Sequence, residues 1–220
     1  MRLYPPFIFL FFFIAFFGLI FFFVMLQLNL ISFAFEKLGF SPFGAFVILM
    51  STLVGSLINI PVSEISCENI VHEPVTFFGI RYYMPRTEKH CTLLAVNVGG
   101  AIIPTLVSVF LWFRGSFFTP LIALIIVSLV VNRIAKPIKG LGIATPVFVP
   151  PLVTLVVALL LAPNDAPRVA YIAGTLGTLI GADLMNLKKI SDLGAPIASI
   201  GGAGTFDGIF FTGILAVLLA

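Results

Sequence analysis

Seven apolar runs, at about residues 5–26, 43–61, 92–113, 117–135, 143–162, 167–187 and 197–219, occupy most of this 220-residue chain. About 20 apolar residues is the length at which a helix crosses the hydrocarbon of a bilayer, since each residue rises only about 1.5 Å. The pattern predicts an all-α polytopic membrane protein of about seven transmembrane helices, built as a single integral membrane domain over residues 1–220. With 60% hydrophobic and only 10% charged residues and a mean hydropathy of +1.19, no separate soluble domain fits. The net charge of +3 is too small to imply nucleic-acid binding, so the cations are read as topology signals and the lipid bilayer as the expected surroundings. The first run, PPFIFLFFFIAFFGLIFFFVML, is longer than the apolar core of a signal peptide and lacks a small-residue cleavage site, so it reads as a retained, lipid-facing helix.

Orientation follows from the positive-inside rule. A cytoplasmic N-terminus places Arg2, Arg81, Arg86, Lys89, Arg133, Lys136, Lys139, Lys188 and Lys189 inside and only Lys37, Arg114 and Arg168 outside. Seven spans then put the C-terminus outside and the turn KKISDLGAP, between the last two runs, in the cytoplasm.

Two aspartates lie within those last two runs, Asp183 in GTLIGADLMNL and Asp207 in GGAGTFDGIFF. A carboxylate at membrane depth is expensive, and marks a functional site by default. Asp183 precedes Lys188 by five residues, which sets it roughly 7–8 Å from the inner interface on an unbroken helix. Asp207 lies roughly 16 Å deep if its helix starts at Pro196, but rises to roughly 5–10 Å, level with Asp183, if the segment Ile200 to Gly204 is unwound. Gly201, Gly202 and Gly204 favour the late start, because glycine is unfavourable in a helix and lets a second backbone approach. Gly208 and Thr205 flank the acid as supporting residues. Two carboxyls brought together in a low-dielectric site share one proton, the arrangement that lets one take a proton from water while the other donates to a peptide carbonyl.

An Asp in one helix followed by a glycine-rich segment ending in Asp resembles the intramembrane aspartyl proteases, the presenilin, signal-peptide-peptidase and prepilin-peptidase group. The resemblance rests on about 30 residues and implies catalytic roles for Asp183 and Asp207, a membrane-embedded polypeptide as substrate and no cofactor. The family motif is Gly-x-Gly-Asp, whereas Gly202-Ala203-Gly204 is separated from Asp207 by Thr205 and Phe206. Ala182 stands where presenilins have Tyr, and no Pro-Ala-Leu stretch occurs. Through INIPV, GIATPVFVPP, GADL and GTFDG the whole chain is also similar to a prokaryotic multi-spanning family known only as a domain of unknown function. The residues themselves leave two other readings open. Proton- or cation-coupled transport would use the same acids with Asn59, Asn97, Asn186, Thr175, Thr178 and Thr205, although no internal repeat of the kind common in transporters is visible. A purely structural role would have one acid bind freed backbone amides and the other reach the interface beside Lys188.

Asn59, before Ile60-Pro61, is expected to cap a helix end. Pro146, Pro150 and Pro151 are expected to kink the fifth helix and leave carbonyls free, either to hold substrate backbone or simply to bend a packing helix. The connection at about 62–91 carries two strand-like runs, VTFFGIRYYM and TEKHCTLLAV, that predict a small cytoplasmic β-hairpin between helices 2 and 3, turning at Pro85-Arg86. Its edge would accept a substrate strand or cap the bundle. Cys67, His72, His90 and Cys91 match no common zinc spacing, so no metal is expected, and a Cys67–Cys91 disulfide would stay reduced in the cytoplasm. Glu64, Glu68 and Glu73 read as a solvated acidic face.

Overall fold

The computed structural model describes residues 6–77, 80–138, 142–190, 197–202 and 208–220. Its helices are α1 (Pro6–Lys37), α2 (Pro42–Gly55), α3 (Ile103–Trp112), α4 (Phe118–Ile134), α5 (Val149–Leu161), α6 (Ala166–Thr178), the single turn α7 (Leu187–Ile190) and α8 (Gly208–Leu219). Two π-helices join them, π1 (Val98–Ile102) ahead of α3 and π2 (Leu179–Asp183) after α6. Start signals are local: Ser41 Oγ accepts the Gly44 N–H with Pro42 opening α2, the arrangement that a helix N-terminus favours.

Helix α6 is the axis of the bundle, packed against α3, α4, α5 and α8. Ala166 and every residue from Arg168 to Thr178 are buried. Small side chains make this crowding possible, since Ala170, Ala173, Gly174 and Gly177 let neighbouring backbones approach. Gly177 faces Val127 and Gly181 faces Ser128 and Val131, so α4 and α6 run in the same direction. Between them α5 returns the chain, bent by 120° from the helical stretch that follows it.

The two ends of the bundle differ in backbone. At one end Lys37 Nζ donates to the carbonyls of Val217 and Leu218, closing the C-terminus of α8. Arg168 lies at the same end: its Nε and Nη2 donate to Asp165 Oδ2 at 2.7 and 2.5 Å, and its Nη1 donates to the Leu111 carbonyl at 3.2 Å. At the other end stand a three-stranded sheet of order β1-β2-β5 and a small β3–β4 hairpin, Lys136–Ile138 with Gly142–Ala144.

The large sheet revises the expected hairpin. Strands β1 (Asn59–Phe77) and β2 (Ile80–Asn97) pair antiparallel from Asn59↔Asn97 to Phe77↔Ile80, so the connection falls at residues 78–79 and not at Pro85-Arg86. Pro85 instead sits inside β2 opposite His72, as a two-stranded ribbon tolerates a proline on an edge that needs no ladder hydrogen bond. Strand β5 (Ile197–Ile200) adds to β2 in parallel from Leu93 to Val96, and the ribbon runs on beyond it. Cys67 pairs with His90 and Cys91 with Ser66. The two cysteines thus occupy neighbouring rungs of the ribbon.

Three further expectations change. Asn59 opens a strand and caps no helix. Pro150 and Pro151 lie in the first turn of α5, where a missing N–H breaks no bond, so they start the helix and do not kink it. The Pro150 carbonyl is engaged by Thr154 Oγ1 at 2.8 Å. Lastly, among the described residues no single helix is long and apolar enough to cross a membrane, whereas the bent pair Val149–Leu161 and Pro163–Lys189 passes that test jointly. The apolar runs at 43–61, 92–113 and 197–219 each divide into strand and helix, because β-sheet pairing claims their ends.

Candidate functional site

Asp183 is the last residue of π2 and is half-buried. Its Oδ2 accepts the backbone N–H of Gly201 at 2.8 Å. Gly201 follows β5 in the left-handed region at φ +84, as does Gly202 at +87, and this is conformation that glycine adopts without strain. The turn is closed by Gly202 N–H donating to the Ser199 carbonyl at 3.3 Å.

The other face of Gly201 meets π1. A Cβ on Gly100 would overlap the Gly201 carbonyl oxygen, and a Cβ on Gly201 would come within 2.7 Å of Ala101. Gly201 is thus held between the two π-helices, its N–H on Asp183 at the end of one and its carbonyl against Gly100 in the other. π-helices are rare and concentrate at functional sites, where the extra residue per turn redirects side chains and leaves carbonyls without helical partners. Those carbonyls are satisfied here: Gly181 O accepts from Asn132 Nδ2 and Asn186 Nδ2, both at 3.1 Å, and Ala182 O accepts from Asn186 at 2.9 Å.

A second polar network secures the sheet to the bundle. Buried Asn97 donates from Nδ2 to the Ser56 carbonyl at 2.7 Å and to Asn59 Oδ1 at 3.1 Å, while its own Oδ1 accepts the Gly100 N–H at 2.7 Å. Ser199 Oγ donates to the same Asn59 oxygen at 2.6 Å. Asn59 therefore joins β1, β2 and β5 two residues before Gly201.

The expected site residues fall into four groups. Asp183, Asn59 and Gly202 belong to this junction. Gly208 opens α8, where its carbonyl accepts from Thr212 Oγ1 at 2.5 Å and its Cα faces Thr145. Pro150 and Pro151 are buried at the start of α5 and take part in none of these contacts. Asp207, Gly204 and Thr205 lie outside the described residues, as do residues 191–196 of the turn between the last two apolar runs. The described elements on either side are strand Ile197–Ile200 and helix Gly208–Leu219, and the late helix start considered for Asp207 lies outside the described residues.

Gly100, Ser199 and Asn132 were not singled out by motif, whereas Gly201 was marked as a glycine that lets a second backbone approach. The signal available was amides within apolar runs, Asn97, Asn132 and Asn186, because a buried amide requires partners. Among the described residues no group of three or more His, Cys, Asp or Glu could hold a metal ion.

Fold and site together describe a helical bundle wrapped on one central helix, with a sheet and two π-helices meeting around a carboxylate at one end. The chain belongs to the DUF1614 family, a protein family of unknown function whose profile matches residues 53–219. No curated protein and no solved structure matches it.

Proposed function

We propose that this protein is a multi-pass integral membrane protein of the cell membrane that hydrolyses peptide bonds of membrane-embedded polypeptides, with Asp183 and Asp207 as its water-activating pair. The observation that carries the reading is the Asp183–Gly201 hydrogen bond. It ties the acid at the end of the α6–π2 stretch to the segment that leads, six residues on, to Asp207 at the threshold of α8.

Membrane residence is supported by what the bundle leaves outside. Phe113 is 83% exposed and Phe43 and Leu160 77%, and exposed apolar residues recur along α1 to α5. A continuous apolar surface on this scale fits lipid better than water. The three cations assigned to the outside, Lys37, Arg114 and Arg168, gather at one end, the end that also holds the C-terminus of α8. Asp183 belongs to the opposite end with Lys188 and Lys189, the cytoplasmic side in this reading.

The chemistry divides as follows. A carboxylate is an acceptor only, and the Gly201 N–H is matched to such a group, which suits Asp183 as the base. Asp183 takes a proton from water as the water oxygen attacks the peptide carbonyl carbon, while protonated Asp207 donates to the carbonyl oxygen. The tetrahedral diol collapses as Asp183 passes its proton to the amide nitrogen and the C–N bond breaks, and a diol hydroxyl returns a proton to Asp207. The β1–β2 ribbon, whose β1 edge pairs with no other strand among the described residues, offers a place for an extended substrate strand. Transport gains less support, because the side chains of Asn59, Asn97 and Asn186 bond to neighbouring protein groups.

The test is cleavage of a panel of labelled single-span peptides by purified protein in lipid, with Asp183→Asn and Asp207→Asn beside wild type. Loss of cleavage in both folded variants supports the proposal. No cleavage by wild type across a broad panel sinks it and directs the same proteoliposomes to a proton-flux assay.

A further inference from the structure

Thr178 is 2% exposed, and its Oγ1 is the one buried side-chain polar atom among the described residues that lacks a hydrogen-bond partner. Threonine in a helix ordinarily returns its hydroxyl to the carbonyl four residues earlier, as Thr52, Thr154 and Thr212 do in α2, α5 and α8. Thr178 does not. A buried hydroxyl without a partner is unfavourable in an apolar interior, so it calls for a partner that the described protein atoms do not supply.

Its position indicates that partner. Thr178 immediately precedes π2, which ends at Asp183. On an α-helix two residues five apart point about 140° away from each other, at 3.6 residues per turn. In a π-helix hydrogen bonds run from i to i+5, and residues five apart come onto the same side, one turn above another. The Leu184 N–H donates to both the Ile180 and the Leu179 carbonyls, and the second of these is the wider turn. In that register positions 178 and 183 lie one turn apart on the same side of the chain, so the unpartnered hydroxyl comes one turn before the carboxylate that holds the glycine junction.

We propose that Thr178 and Asp183 together hold one water molecule, and that Thr178 is a positioning residue for it. A hydroxyl both donates and accepts, and a carboxylate accepts at several sites, so one water can bridge them while Asp183 keeps its bond to Gly201. The use of this water as the nucleophile rests on the hydrolytic reading above: Thr178 sets where the water sits, and Asp183 takes its proton.

The experiment has two arms in the full-length protein reconstituted in nanodiscs. With methyl-labelled threonine, the Thr178 γ-methyl, assigned through its loss in Thr178→Ser, is expected to show a cross-peak to a long-lived water that disappears in Asp183→Ala. Absence of that cross-peak in wild type overturns the proposal. In the cleavage assay, Thr178→Val is expected to lower kcat about tenfold with KM unchanged, an effect on the scale of one hydrogen bond, and Thr178→Ser to restore most of the rate. An unchanged kcat in Thr178→Val overturns the positioning role. A clear water cross-peak in protein that cleaves no peptide upholds the bound water and removes the hydrolytic reading alone.

Discussion

The Asp183 carboxylate and the Gly201 amide, 18 residues apart in sequence, meet in a hydrogen bond of 2.8 Å. Asparagine keeps an acceptor at that place and alanine does not. Asp183→Ala is therefore expected to be less stable than Asp183→Asn by about 1 kcal/mol, the net value of one hydrogen bond. Thermal unfolding in a fixed detergent compares the two, and equal melting temperatures would mean that the contact contributes nothing.

Gly100 leaves no space for a side chain beside the Gly201 carbonyl. Gly100→Ala is expected to destabilise by about 1–3 kcal/mol, as overpacking does in a tight interior, and to slow cleavage by moving Gly201 away from Asp183. Gly18 is the control, with nothing within 4 Å of an added Cβ. Should Gly18→Ala and Gly100→Ala unfold alike, the close approach is not rigid.

Asn97 serves three partners, the Ser56 carbonyl, Asn59 and the Gly100 amide. Asn97→Leu leaves the last of these without its cap, with an expected loss of about 1–3 kcal/mol for a buried group made unsatisfied. Hydrogen exchange at the Gly100 amide is the direct readout, and protection equal to wild type would contradict the network.

Arg168 makes three contacts through a planar fork. A lysine ammonium cannot reproduce that geometry, so Arg168→Lys is expected to restore little of what Arg168→Ala loses. Denaturant unfolding of the pair decides it, and full rescue by lysine would show that charge alone matters.

Cysteines introduced at Lys37 and at Lys188 are expected to react with an impermeant thiol reagent from opposite sides of sealed vesicles, with Lys188 labelled from the cytoplasmic side. Labelling of both from one side would remove the proposed topology.

How much of this was readable in the chain depended on the range of the forces involved. The apolar runs that became α2, α4 and α5 carry local signals: Ser41-Pro42 starts one helix, and Pro150-Pro151 starts another, although a proline pair within an apolar run reads equally as a kink. The existence of a hairpin after α2 was legible from β-branched and aromatic residues, but its turn was misplaced because Pro85, a strong local signal for a break, is tolerated in a ribbon. Strand β5 was not legible, since its partner Leu93–Val96 lies about a hundred residues earlier and parallel pairing has no local signature. Nor were the π-helices, where one extra residue per turn goes with tertiary packing around Gly201 and with amides such as Asn132 that donate to the freed carbonyls. Asp183 stood out as a carboxylate in an apolar run and Gly201 as a glycine open to close approach, but the bond between them, 18 residues apart, had no local signature.

Arg168 fastens the α5–α6 turn to the end of α3, and Lys37 fastens α1 to the end of α8, both at the end remote from Asp183. Any parting of the helices pivots there, so displacement grows along their length. Helix α6 has 13 residues and is roughly 20 Å long, so a tilt of about 5° at the fastened end moves the far end by about 1.7 Å. A shift of that size would break the Asp183–Gly201 bond, so contacts made a helix-length away bear on how firmly the carboxylate is held.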